Sequence, residues 1–329
     1  MNVQSFWVEA PGRGAIRATE IPQARADEVL VATLYSGVSR GTESLVFGGR
    51  VPSSQYDSMR CPHQDGTFSL PVKYGYISVG EVMSEGPLLG KRVFCLHPHQ
   101  THFVVPISDV IPLPESLDPS IAVLAANLET AVNGVWDAQI QSEDQVTVIG
   151  AGVVGMLVAW RILQEHGKHV ELLDLNPERA VTAAALGLRL LHPDDASEQR
   201  HVIIHASGSE AGLRKGLELA ADEGRIIEMS WFGSSDISLP LGEAFHSKRL
   251  SIRSSQVGGI PPHLRTEWTH RSRMEMVLSL LEAHPDLACL VSGESYFLDL
   301  PETMVRLCEE PQTVLCHRIN YQEREKCID

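Results

Sequence analysis

The sequence predicts an α/β protein in which a parallel sheet, covered by helices on both faces, is set between two β-rich stretches. Three observations predict it. Apolar strand-like runs and helical segments alternate regularly between residues 145 and 255. A Gly-x-Gly-x-x-Gly run follows the first of those strands and opens a helix. The flanking stretches carry short β-branched runs separated by Gly, Pro and Ser clusters.

Taken in order, residues 29–34, 79–83 and 92–96 read as strands, and helix signals are weak in this first third. Residues 119–136, rich in Ala and Leu, read as a helix interrupted around Asn127. Then come a buried strand at 145–149, a helix at 153–166, a strand at 169–173, and a helix at 177–186 closed by Gly187. A strand at 201–205, a helix at 210–221 and strands at 224–229 and 250–255 complete the alternation. Beyond Pro261, residues 271–283 read as an amphipathic helix, and 290–297, 301–309 and 314–319 as strand, helix, strand. This tail is too short for a third domain and is expected to rejoin the first. The expected domains are therefore 1–120, 121–260 and a return at 261–329.

The chain's 329 residues leave room for two domains at ~100–200 residues each. An apolar fraction of 43% excludes global disorder. Its net charge of −15 opposes a nucleic-acid partner, which requires a basic surface. The first residues, MNVQSFWVEA, lack the basic flank and apolar run of a signal peptide, and no apolar run is long enough to span a membrane. A cytoplasmic protein is expected. No two of Cys61, Cys95, Cys289, Cys308, Cys316 and Cys327 form a Cys-x-x-Cys pair, so free thiols are expected.

The sharpest motif is Gly150-Ala-Gly152-Val153-Val154-Gly155, preceded by Val-Thr-Val-Ile. Gly150 permits a tight turn, Gly152 lets backbone approach a pyrophosphate, and Gly155 lets the helix pack on the sheet. The helix N-terminus offers free N–H groups and a positive dipole end to phosphates. Asp174 ends the second strand, where a carboxylate accepts hydrogen bonds from the adenosine ribose of NAD and repels the 2′-phosphate of NADP. Arg179, in the following helix, is placed to reach such a phosphate. The combination predicts a Rossmann domain that binds NAD.

The whole chain resembles the medium-chain dehydrogenase/reductase superfamily, especially its threonine/sorbitol dehydrogenase-like branch. The resemblance is carried by Tyr35-Ser-Gly-Val-Ser-Arg-Gly-Thr-Glu43, Gly75-Tyr-Ile-Ser-Val-Gly-Glu-Val82, the glycine motif and Gly224-Arg-Ile-Ile-Glu-Met-Ser230. It implies a GroES-like β-rich catalytic domain plus the doubly wound Rossmann domain. It also implies that the turn at His205-Ala-Ser207-Gly208 faces the nicotinamide, with Ser207 and Ser230 as cofactor contacts. Family members join two Rossmann sheets edge to edge, which makes residues 250–257 the edge of an expected homodimer.

The departures are specific. Arg40, Tyr76 and Ala126 stand where zinc-dependent relatives carry metal ligands, and the four-cysteine structural lobe is replaced by a short segment containing His97 and His99. Catalytic zinc needs about three N, S or O donors, so no metal is expected. A hydrogen-bond donor or fixed cation must then stabilise the developing oxyanion. Candidates are Tyr76 and Arg40, with Thr42 as proton relay and Glu129 as base or substrate anchor. Each has a plainer alternative: Tyr76 fills the volume left by zinc and histidine, Arg40 pairs with Glu43 or Glu129, and Thr42 touches the cofactor ribose. The expected activity is zinc-independent, NAD(H)-dependent interconversion of a secondary alcohol and a ketone on a small-molecule substrate. Alkene reduction and a non-catalytic NAD-binding role remain as alternatives.

Overall fold

The computed structural model describes residues 1–167, 170–310 and 314–322. Two compact units emerge, Met1–Ala126 with Leu278–Asp329, and Asn127–Val277. The sequence reading divides the chain at residues 120 and 260; the compact units divide at 126 and 277.

The first unit opens with an antiparallel hairpin, β1 (Asn2–Ala10) and β2 (Arg13–Glu20), absent from the sequence reading. The chain continues through β3 (Glu28–Val38), α1 (Arg40–Phe47), the short β4 (Asp65–Gly66) and β5 (Val72–Lys73), and β6 (Ser78–Val82). Next come β7 (Arg92–Cys95), β8 (His102–Pro106) and β9 (Val110–Pro112). The expected interruption near Asn127 does not occur: a 3-10 turn at Ala122–Leu124 leads into an unbroken helix α2 (Ala125–Ala138). Ala125, Leu128, Ala131, Val132 and Val135 keep one face of α2 buried through that point, so the helix needs no break.

The second unit runs β10 (Val146–Ile149), α3 (Val153–His166), β11 (Glu171–Leu173), α4 (Arg179–Ala185), β12 (Arg189–Leu191) and β13 (Arg200–His205). It continues with α5 (Glu210–Leu219), β14 (Ala220–Glu228), α6 (Ala244–Ser247), β15 (Ser251–Ser254) and α7 (His270–Ala283). The start of the expected strand at His169 lies outside the described residues. Helix α5 stops at Leu219 because β14 starts at Ala220, four residues before its expected start. Gly187 follows α4 at a φ of +72°, the left-handed stop that glycine permits.

All six strands of this sheet are parallel, in the order β12-β11-β10-β13-β14-β15. Ile149, Leu173, Ile203 and Ile226 from its strands pack with Leu213 and Leu217 of α5. The central strand β10 is buried at every position, as a sheet covered on both faces requires.

The chain returns to the first unit with β16 (Val291–Tyr296), α8 (Leu300–Glu309) and β17 (Cys316–Asn320). There, β17 pairs with β3 in a seven-stranded sheet of order β16-β17-β3-β6-β7-β9, and β8 pairs with β3 off that path. Val29, Val31, Val82, Val93, Phe103 and Val105 form its core.

Candidate functional site: a glycine crevice and a buried polar chain

Strand order in the second unit reverses direction between β10 and β13. Ligands of open α/β sheets bind outside the carboxyl ends of the strands at such a switch point. The glycine motif sits there. Gly150 has a φ of +106°, and a Cβ on it would lie 2.7 Å from the backbone of Ser207. A Cβ on Gly155 would stand 1.8 Å from the Gly150 carbonyl oxygen. Both positions therefore exclude a side chain. Gly152, the N-cap of α3, has open space where its Cβ would be, so backbone faces the crevice there. Val153 and Val154 form the first turn of α3 and are half-buried.

Asp174 closes the loop from the β11 side. One carboxylate oxygen accepts the Ala151 N–H at 2.6 Å and the other accepts the Asn176 N–H at 2.8 Å. Arg179 is buried in the first turn of α4. Burial pushes its pKa down, against the attraction of Asp174 and Glu178.

On the β13 side, His205 is fully buried between two partners. Its Nδ1 lies 2.7 Å from the Glu228 carboxylate at the end of β14, and its Nε2 lies 2.6 Å from the Ser207 hydroxyl. Ser230 takes the Gly208 N–H on its hydroxyl at 3.1 Å and donates its own N–H to Glu228 at 2.7 Å. The expected cofactor residues Ser207 and Ser230 thus belong to one polar cluster, together with His205 and Glu228, which the sequence reading did not single out.

In the first unit, α1 was not expected from sequence, and it carries three of the residues in question. Its N-cap Ser39 donates its N–H to the Glu43 carboxylate at 2.8 Å, the back-reach of a capping box moved one residue along. The other Glu43 oxygen pairs with His99 Nε2 at 2.9 Å, and His99 Nδ1 meets the Ser36 hydroxyl at 2.7 Å. Ser36 in turn lies 3.0 Å from the Tyr321 hydroxyl. Glu43, His99 and Ser36 are 3%, 0% and 0% exposed, so this chain is screened from water.

Tyr76 joins the same region. The side chains of Ser39 and Thr42 lie near enough to its hydroxyl to act on its pKa. Burial raises the phenol's pKa, the nearby Glu43 charge raises it further, and the two hydroxyls partly offset this. The phenol therefore stays protonated through the ordinary tyrosine range and acts as a donor rather than a base. Arg40 is half-buried in the first turn of α1. Of the expected catalytic residues, Tyr76 and Thr42 lie together.

Glu129 belongs to the second unit. Its carboxylate accepts Arg273 Nε at 3.0 Å, and Arg273 also donates to Asn133 at 2.5 Å and to the Val257 carbonyl at 2.6 Å. Arg273 is 1% exposed. Burial raises the Glu129 pKa, and the guanidinium opposes that shift.

His97 lies flat on Phe103 with ring centroids 3.9 Å apart, its Nδ1 on the Pro98 carbonyl. Burial holds its pKa well below the usual histidine value, so it is a neutral packing residue. Trp268 packs on Trp136, and Phe232 covers the β13 cluster beside His205. Among the described residues no group of three or more His, Cys, Asp or Glu side chains could hold a metal ion. No helix there is long and apolar enough to cross a membrane.

No protein-family model matches the chain. Among curated proteins it is 25% identical to the starvation-sensing protein RspB of Escherichia coli K12, over 81% of this chain and 87% of that protein. It is 26% identical to the uncharacterized zinc-type alcohol dehydrogenase-like protein YphC of the same organism, over 46% of this chain and 47% of YphC. With L-threonine 3-dehydrogenase of Ruegeria pomeroyi it shares 27% identity, over 38% of this chain and 36% of that enzyme. The matches to the last two thus span less than half of each relative. Among solved structures, L-idonate 5-dehydrogenase of Escherichia coli K-12 superposes with a TM-score of 0.80 at 16% identity, covering 98% of this chain and 99% of that one. The fold is that of the zinc-type medium-chain dehydrogenases. RspB from Escherichia coli CFT073, solved as a complex with NADH, has a TM-score of 0.76 at 18% identity, covering 97% and 99% of the two chains. The β-rich unit is accordingly GroES-like and the parallel-sheet unit a Rossmann domain.

Proposed function

We propose that this chain is an NAD(H)-dependent oxidoreductase that interconverts a secondary alcohol and a ketone without zinc. The observation that carries the reading is the glycine cradle closed by Asp174; within the other unit, the protonated Tyr76 phenol stands at a position where the resemblance puts a metal ligand. Gly150, Gly152 and Gly155 would admit the pyrophosphate, Asp174 the adenosine ribose, and Ser207 and Ser230 the nicotinamide side. Bound NAD(H) would supply or accept the hydride.

Tyr76 would donate its hydrogen bond to the substrate oxygen, stabilising negative charge as it develops. Thr42, beside that phenol, would pass a proton to or from it. Arg40 would add fixed positive charge in the same turn of α1. Glu129, tied to Arg273, would brace α2 against α7 rather than touch substrate. Homologues are named for dehydrogenation of threonine, and structural neighbours for idonate and butanediol, which favours a small hydroxylated substrate. A homodimer would form through β15, the terminal strand of the Rossmann sheet, whose open edge otherwise exposes a row of backbone groups.

A panel of secondary alcohols and ketones assayed with NAD(H) tests the activity. The expected result is turnover that falls about 100-fold or more in kcat for Tyr76→Phe, the usual cost of losing one oxyanion donor. Reduction of enones but of no ketone would overturn the alcohol/ketone assignment. Light scattering at micromolar concentration tests the dimer, and a monomer contradicts it.

A further inference from the structure

The cluster at the end of β13 has a geometry that dinucleotide binding does not require. Ser207 Oγ lies 2.6 Å from His205 Nε2, and His205 Nδ1 lies 2.7 Å from Glu228. A hydroxyl, an imidazole and a carboxylate in series, with opposite ring nitrogens facing the two partners, is the arrangement that activates a serine nucleophile. The carboxylate fixes the tautomer: Nδ1 carries the proton and donates it to Glu228, leaving the Nε2 lone pair for the serine proton.

The surroundings suit the same chemistry. Ser207 is exposed while His205 is fully buried, so the hydroxyl can be approached and its base stays dry. Phe232 lies nearly parallel to the imidazole with ring centroids 6.3 Å apart. Gly212 makes room for the cluster. A Cβ there would stand 2.4 Å from Ser207 Oγ and 2.8 Å from His205 Nε2. Helix α5 starts at Glu210, so the positive end of its dipole follows directly on the serine turn, where the Gly208, Ser209 and Gly212 N–H groups are already held by the hydroxyls of Ser230, Ser207 and Ser209.

We propose that Ser207, His205 and Glu228 form an acyl-transfer centre, with Ser207 as the nucleophile toward small acyl esters. Ser207 Oγ forms a bond to the ester carbonyl carbon while its proton passes to His205 Nε2. Collapse of the tetrahedral species breaks the bond to the alkoxy group, which leaves as an alcohol with that proton. Water then repeats both steps on the acyl-serine, releasing the carboxylic acid and restoring the hydroxyl. No oxidant or cofactor is consumed. The centre goes beyond the redox reading and does not depend on it, but the two share Ser207, so a bound nicotinamide would cover the nucleophile.

The test is incubation of the full chain with p-nitrophenyl acetate in the absence of dinucleotide, with peptide mass spectrometry to place the acetyl group. The expected result is acetylation of Ser207 and its loss in Ser207→Ala, an exposed position where the substitution leaves the core intact. Glu228→Gln, which keeps the shape and removes the charge, is expected to slow acetylation of Ser207 at least about 100-fold. Acetyl groups confined to lysines or the N-terminus would overturn the proposal. So would a Glu228→Gln variant that acetylates Ser207 at the wild-type rate.

Discussion

The glycine crevice and the Glu43–His99 chain are built by opposite means. The crevice is made of backbone: three glycines within six residues, a helix start, and one carboxylate that accepts two main-chain N–H groups. The polar chain is made of side chains from four distant segments, around residues 36, 43, 99 and 321. A backbone site is damaged by adding atoms, whereas a buried polar chain is damaged by removing them. The difference also decides which of the two can be read from sequence.

The largest effect is expected from Glu43→Ala. It leaves the fully buried His99 and the Ser39 N–H without their carboxylate, a loss of about 2–5 kcal/mol for two buried polar groups left unsatisfied at about 1–3 kcal/mol each. Urea unfolding checks this, with a lowered midpoint at unchanged slope. A loss under about 1 kcal/mol would mean that the chain is solvated and not a structural unit.

His317 extends the comparison to pH. It is buried, with Nε2 on Ser295, and burial pushes its pKa down to about 4, from the usual histidine value of about 6.5. Between those values the unfolded chain binds the proton that the folded chain refuses. Stability is therefore full above pH 6.5 and falls as pH drops toward 4, by roughly 2–3 kcal/mol after allowance for screening. Unfolding curves at pH 7 and pH 4.5 measure the slope, and His317→Gln is expected to flatten it.

In the crevice the matching experiment adds a methyl group. Gly155→Ala places a Cβ 1.8 Å from the Gly150 carbonyl oxygen, and the loop must move. The expected cost is about 1–3 kcal/mol in stability, together with loss of NADH binding followed by fluorescence titration. Wild-type affinity in this variant would place the dinucleotide elsewhere.

The smallest expected effect is on cofactor choice. Asp174→Ala should narrow the preference for NAD(H) over NADP(H) by ten- to a hundredfold, about 1.4–3 kcal/mol, as a like charge facing the 2′-phosphate is removed. Arg179, packed beside Asp174, can offset part of that repulsion, so Arg179→Ala should widen the preference. Titration of both cofactors into the two variants separates the contributions.

The regular alternation of strands and helices between residues 145 and 255 was legible because its inner strands, β10 and β13 above all, are buried apolar runs and helix α5 shows its apolar face locally. The helix at Val153–His166 matches the periodicity residue for residue. By contrast α1 is eight residues long and opens with Arg-Gly-Thr-Glu, a poor helical start by propensity. Only the Ser39–Glu43 spacing hints at its cap. Nothing near His99 in sequence signals that Glu43, Ser36 and Tyr321 converge on it, since those contacts are made by the pairing of β17 with β3 and by the loop before β8. Glu129 illustrates the same limit. The resemblance offered it as a base or substrate anchor, and nothing nearby in sequence signals its partner Arg273, 144 residues away.

On the proposed reading, protein donors around Tyr76 do the work that a metal does in zinc-dependent relatives. The measurement that tests it most directly is zinc content and turnover on the same sample, before and after exhaustive chelation. Far less than one zinc per chain and an unchanged kcat are expected. One zinc per chain, with turnover lost on chelation and restored by adding zinc, would contradict it.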